Sequence, residues 1–233
     1  MKKMNAMKKA LILGILVVGI ALGCQTVMGA FEAGDGEPPI IDGTEVEEEQ
    51  ALFSDDFSNL GSGWVRAGDK DVITDYDVDG YRIYVGIPNS DYWARPGKFF
   101  QDLRIEVDAR KIDGPDKNNY GVICRYENRK NFYAFMISSD GKYGIFKWTD
   151  AEGLVTLGAS EMQFSEVIQQ GFLINHITAA CVGDRLSLYV NGKLLIEVRD
   201  GDISGGDVGL IAGTWEEGGT DIIFNNFEVF AAE

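Results

Sequence analysis

The sequence predicts an all-β fold, a two-sheet antiparallel jelly-roll sandwich, and three observations carry that prediction. The first is period-two alternation. Leu103, Ile105, Val107 and Ala109 alternate with Arg104, Glu106, Asp108 and Arg110, and Leu186, Leu188 and Val190 alternate with Ser187 and Tyr189. Tyr81, Ile83 and Val85 do the same with Arg82 and Tyr84. Successive strand side chains point to opposite faces, so each run offers one face to a core and one to water. The second is turn chemistry. Asn191-Gly192 separates LSLYV from KLLIEV, and Asp140-Gly141 separates NFYAFMIS from KYGIFKW. Asn, Asp and Gly tolerate the positive φ that tight hairpins require. The third is length. About thirteen strand candidates follow Leu52 with no helical crossover. A domain of roughly 180 residues exceeds an immunoglobulin-type sandwich of roughly 100. Only Ser165–Gln170 (SEVIQQ) has the composition of a helical turn.

The first fifty residues have a different character. Lys2, Lys3, Lys8 and Lys9 precede an unbroken apolar run from Ala10 to Leu22. That run is shorter than the roughly 20 residues a membrane span needs, and it fits the apolar region of a signal peptide. It ends in Ala21-Leu22-Gly23-Cys24, which resembles the lipobox of bacterial lipoproteins, with the Leu and the small residue before Gly23 in swapped order. The resemblance implies cleavage after residue 23 and a lipid on Cys24, hence an exported chain held at a membrane of the cell envelope. An ordinary signal peptide cleaved near Ala30, or an uncleaved anchor, is the alternative. Residues 24–51 read as an acidic tether: Gly, Pro and Glu dominate, and Lys and Arg are absent. Such a segment cannot bury enough apolar surface to order itself. Residues 52–233 are the folded domain.

Charge narrows the partners. The chain carries 21 basic and 37 acidic residues. The 21 less the four amino-terminal lysines leaves 17 against 37, a net of −20 after cleavage. Such a surface repels nucleic acid and suits a neutral or cationic partner, or solubility alone. With a single histidine, His176, neither a His-rich metal site nor a Ser-His-Asp triad has support.

Several segments together resemble the concanavalin A-like lectin/glucanase jelly rolls, in particular the laminin-G-like and DUF1080 (3-keto-disaccharide hydrolase-like) modules. They are Phe53-Ser-Asp-Asp-Phe57 with Gly63-Trp64, Tyr120 to Tyr126, Asn131 to Phe135, and Ser139-Asp-Gly141 with Tyr143 to Lys147. Asp184 to Gly192, Gly206 to Gly213 and Phe224-Asn-Asn-Phe227 complete the set. The resemblance implies a concanavalin A-like sandwich over nearly all of residues 52–230. It leaves activity open, because this architecture hosts lectins, hydrolases and adhesion modules.

Candidate chemistry follows from residue type. Retaining glucanases of this fold carry an E-x-D-x-x-E strand motif. Here Glu106-Val107-Asp108 matches its first half, while Arg110 and Lys111 stand where the second Glu belongs. This favours a solvated face with cross-strand ion pairs and no catalytic residue. Sugars stack on aromatic rings and take hydrogen bonds from charged and amide groups. On that basis Arg125, Tyr133 and Lys147, on three successive strands, are the expected ligand-binding floor, with Tyr84, Tyr92 and Trp93 in or beside one polar strand face or loop and Trp148 and Trp215 near strand ends. Core filling is the competing role for these aromatics. A structural calcium ion on Asp55, Asp56 and Asn225 is the one cofactor considered, against turn and capping roles for the same residues. Cys124 and Cys181, an even pair in an exported chain once Cys24 is set aside, are expected to form a disulfide. Two buried thiols are the alternative. The functional expectation is a non-catalytic carbohydrate- or surface-binding module. A glycoside-processing hydrolase and a structural, protein-binding envelope domain are the competing readings.

Overall fold

The computed structural model describes residues 49–150 and 153–232. The expected signal segment, Cys24 and nearly all of the expected tether lie outside them. In chain order the strands are β1 (Phe53–Asp55), β2 (Ala67–Gly68), β3 (Val72–Asp77), β4 (Gly80–Val85), β5 (Asp91–Ala94) and β6 (Phe99–Phe100). Next come β7 (Leu103–Asp113), β8 (Asn118–Asn128), β9 (Asn131–Ile137), β10 (Lys142–Thr149), β11 (Gly153–Leu157) and β12 (Gln163–Phe164). The last are β13 (Asn175–Val182), β14 (Arg185–Val190), β15 (Lys193–Arg199), β16 (Gly206–Thr214) and β17 (Thr220–Ala231). Among the described residues there is no helix; Ser165–Gln170 forms a turn closed by Ile168 N donating to Ser165 O at 3.3 Å.

Two antiparallel sheets face each other. The nine-stranded sheet runs β15-β14-β13-β7-β17-β4-β3-β2, with β1 added on β17. The eight-stranded sheet runs β11-β10-β9-β8-β16-β5, with β12 on β10 and β6 on β16. This is the jelly-roll sandwich that alternation and turn spacing predict. The 191–192 and 140–141 turns are where the sequence puts them, with Asn191 at φ 50°, Gly192 at 77° and Gly141 at 89°.

The core fills from alternate positions of both sheets. Ile105, Val107, Ile177, Ala179, Leu186 and Leu188 meet Tyr120, Val122, Phe135, Ile145 and Leu210, all buried. Burying one such aliphatic or aromatic side chain contributes about 1.5–3 kcal/mol. Within it, Cys124 of β8 and Cys181 of β13 are disulfide-bonded with Cα atoms 7.0 Å apart, so the bridge joins one sheet to the other.

Candidate functional site

The two outer faces of the sandwich differ. On the nine-stranded sheet the outer face is polar, as expected for a solvated surface. Arg104 Nε donates to Glu106 Oε1 at 2.8 Å, and His176 Nδ1 lies 2.9 Å from Asp108 Oδ1. Asn226 Nδ2 donates to Asp108 Oδ2 at 2.8 Å. The partial E-x-D motif is thus tied into a cross-strand network. Tyr84 shares this sheet, with the Arg82 guanidinium 5.9 Å from its ring centre.

On the eight-stranded sheet the outer face is apolar. Ile123, Tyr126, Phe132, Ala134, Met136, Phe146 and Ile211 form a second cluster, separate from the core, flanked by half-buried Trp93 and Trp148. Its rings make a band across four strands. Trp93 lies 5.4 Å from Phe132, Tyr126 5.5 Å from Phe132, and Phe132 5.9 Å from Trp148 in stacked geometry. The Arg95 guanidinium sits 3.9 Å above Tyr126.

At one end of this sheet the band opens into a cleft of about 410 Å³. Trp215, 41% exposed, is its largest aromatic surface. Its indole Nε1 donates to Asn118 O at 3.3 Å, and Asn89 N donates to Trp215 O at 2.6 Å. Asn118 is fully buried and fixes the neighbouring hairpin: its Nδ2 donates to Ser139 Oγ at 2.9 Å and its Oδ1 accepts from Ser139 N at 2.9 Å. Phe146 and Met162 give apolar wall, and Lys117, Asp140, Lys142, Glu161 and Glu216 give charge. Asp140 is engaged by Ser138 Oγ and by Lys142 Nζ, the latter at 3.5 Å. Two cations against three carboxylates leave the lining close to neutral.

Arg125, Tyr133 and Lys147 are brought close together, but between the sheets and not on an open face. Tyr133 and Lys147 have the same parity as the core residues Phe135 and Ile145, so they point inward. Arg125 follows Cys124 at a bulge, with φ 54°, and the bulge turns it inward as well. Its guanidinium, 1% exposed, donates to Gln101 O at 3.2 Å, Gly183 O and Ile203 O at 2.9 Å, and Asp102 Oδ1 at 2.9 Å. Tyr133 Oη donates to Asp200 Oδ1 at 2.5 Å and accepts from Ile203 N at 3.2 Å. Lys147 Nζ donates to Asp200 Oδ2 at 2.5 Å and Asp202 Oδ2 at 2.7 Å. Burial pulls the Lys147 ammonium down, but the hydrogen bonds to Asp200 and Asp202 outweigh it and hold it above its ordinary range. Burial likewise raises the Asp200 carboxyl, and Lys147 and Tyr133 overcome that and hold it low. Together the three pin the β15–β16 connection into the end of the sandwich.

The remaining expected residues separate. Trp93 stands in the aromatic band and Tyr92 packs against the core, so these two point opposite ways, and Tyr84 lies on the other sheet. Asp55, Asp56 and Asn225 do not make an oxygen cage. Asp55 accepts from Phe57 N at 2.8 Å and from Trp64 Nε1 at 2.9 Å. Asp56 caps Ser58 N at 3.0 Å, while Asn225 donates to Asp79 O at 3.1 Å and accepts from Asn226 N at 2.8 Å. These are turn and capping roles, and the three residues do not fit a shared calcium ion. Sequence reasoning missed the apolar outer cluster. Its signal was present: YGVIC, FYAFMI and GIF are apolar at both parities, which marks strands with two covered faces.

The fold is a concanavalin A-like β-sandwich. It is shared by the carbohydrate binding module CBM66 from Bacillus subtilis (19% identity, TM-score 0.57, over 72% of this chain and 96% of that one). A GH43 protein from Bacillus licheniformis matches at 18% identity and TM-score 0.57, over 77% of this chain and 39% of that one. A Bacteroides ovatus mixed linkage glucan GH16 protein matches at 9% identity and TM-score 0.54, over 77% of this chain and all of that one. At these identities the likeness is one of fold. No family model matches the chain, and no curated protein does.

Proposed function

We propose that the chain is an exported lipoprotein, anchored through Cys24, whose sandwich binds a neutral glycan in the cleft beside Trp215, at one end of the eight-stranded sheet, without cleaving it. The observation that carries this reading is the exposed Trp215 in a nearly neutral cleft at the end of an aromatic band. Apolar ring surface beside fixed polar groups is what a sugar's alternating C–H and O–H edges require. The fold neighbours that include a carbohydrate binding module lend support, and the net charge of −16 disfavours an acidic polysaccharide. Against catalysis stands the placement of Glu106 and Asp108 on the opposite sheet, bound to Arg104, His176 and Asn226.

The test is retention of the purified chain in native gels containing soluble neutral polysaccharides. At least one gel should retard the wild type, Trp215→Ala should migrate freely, and no reducing sugar should be released. Reducing-sugar release, abolished by changing a carboxylate, refutes the non-catalytic half. Mass spectrometry of the membrane fraction should find an acylated amino-terminal Cys24; an intact Met1 there refutes the anchor.

A further inference from the structure

Three consecutive apolar side chains stand in water at one end of the sandwich. Phe172 is 61% exposed, Leu173 57% and Ile174 54%. A single exposed apolar residue is ordinary, but a run of three on one loop marks a contact surface. The loop holds them there, because its neck is clasped. Asn175, fully buried, donates through Nδ2 to Gln169 O at 2.8 Å. Its Oδ1 accepts from Gln169 N at 2.8 Å and from Asn191 Nδ2 at 3.0 Å. The Lys111 ammonium lies 4.5 Å from the centre of the Phe172 ring.

The loop adjoins the Trp215 cleft. Gly171 N donates to Ser139 O at 2.9 Å, Ser139 Oγ accepts from Asn118 Nδ2, and Asn118 O accepts from the Trp215 indole. Phe164, 57% exposed, pairs with the cleft residue Lys142. The described chain enters at the other end. Glu49 accepts from Arg104 Nη2 at 2.7 Å at the start of β7, whereas Lys111 and Phe172 lie at its finish. An apolar rim and the cleft therefore share the end of the domain remote from its entry.

Projecting apolar tips suit the headgroup–acyl boundary of a bilayer, which takes such side chains about 5–10 Å deep without a matching recess. The net charge of −16 repels anionic headgroups and leaves neutral ones. Reach is sufficient. Residues 25–48, fully extended, span at most about 80 Å, more than twice the length of the eleven-residue β7, about 35 Å. We propose that Phe172, Leu173 and Ile174 seat this end of the sandwich in the interfacial layer of a bilayer, and that the glycan taken by the Trp215 cleft is the headgroup of a neutral glycolipid. This rests on the glycan reading above and adds what carries that glycan. Burying the exposed half of three such side chains is worth about a hundredfold in partition.

The experiment uses the full chain reconstituted in phosphatidylcholine vesicles, with or without digalactosyldiacylglycerol or diglucosyldiacylglycerol. Leu173→Trp puts a reporter on the rim, and lipids brominated in the upper acyl chain quench it on contact. Expected, relative to wild type, is a blue-shifted and quenched added emission when one of the glycolipids is present. Trp215→Ala in the same chain should abolish that dependence on glycolipid. Phe172→Ser with Ile174→Ser should raise the glycolipid needed by about tenfold, while melting like wild type and keeping wild-type retention on soluble polysaccharide gels. If the added indole keeps a water-exposed emission in every vesicle while the gels retain the wild type, the seating is refuted and the glycan reading stands. Quenching indifferent to glycolipid and to Trp215→Ala refutes the glycolipid as ligand. A wild type that sediments as a dimer, made monomeric by Phe172→Ser with Ile174→Ser, makes the rim a contact between copies and overturns the proposal. If neither gels nor vesicles respond, both readings fall.

Discussion

Replacing Arg125 by Met tests whether this side chain holds the fold or a ligand. Met keeps the length and apolar stem and removes every donor. Four acceptors then lose a partner: Gln101 O, Gly183 O, Ile203 O and the Asp102 carboxylate. Asp102 is half exposed, still accepts from Gly183 N, and regains water. The Ile203 carbonyl is the costly one, since its bond to Arg125 is buried. An orphaned buried carbonyl costs about 1–3 kcal/mol, and each lost partly exposed bond to a charged donor about 1 kcal/mol. The sum is about 4 kcal/mol. In a domain of this size that lowers the melting temperature by roughly 8–16 °C. Calorimetry or a circular-dichroism melt reads the shift, and retention on the polysaccharide gels at 20 °C should match wild type. A melt within about 2 °C of wild type, or lost retention without a stability change, refutes the reasoning and returns Arg125 to the ligand.

The remaining predictions follow from the same contacts. Cys124→Ala with Cys181→Ala opens a loop with a sequence separation of 57 and should cost about 4 kcal/mol in the chain-entropy model, read as an earlier denaturant midpoint; an unchanged midpoint counts against the bridge. Asp200, held below the ordinary carboxylate range in the folded chain, contributes stability that is present at neutral pH and is lost as pH falls through its folded value, below about pH 4. Asp200→Asn should therefore melt below wild type at pH 7, and the gap should narrow toward pH 3; a gap independent of pH excludes the charge as its cause. Asp91 has the opposite sign. Its carboxyl, raised by burial, penalises the folded state at neutral pH, so any gain in melting temperature from Asp91→Asn should shrink as the pH is lowered through the carboxylate range.

Much of the fold was legible because one sheet obeys the simplest rule. Along β7 the burial alternates from Leu103 to Arg110 as the residues do, and the neighbouring β13 follows suit. The eight-stranded sheet does not alternate. Strands β8, β9, β10 and β16 are buried almost throughout, so residue type alone gave no face to Tyr133 or Lys147. Charge suggested an open surface for Lys147 and Arg125. What decided otherwise was long-range: a loop carrying Asp200 and Ile203, some 50 to 80 residues away in sequence, folds over the end of the sheets and satisfies both cations. The bulge at Arg125 also breaks the parity from which a face is counted.

The bridge between Cys124 and Cys181 has a mechanical consequence. The chain enters the described domain through β1, which is paired only with β17, in the nine-stranded sheet. The apolar outer face belongs to the other sheet. A pull between the amino-terminal end and anything held on that face must therefore cross the sandwich, from one layer to the other, through the weakest direction of a packed apolar interior. Dispersion contacts across such an interior yield once the layers part by an ångström or so. A covalent link between β8 and β13 does not. Tension reaching the second layer is then borne by a covalent bond in parallel with the packing.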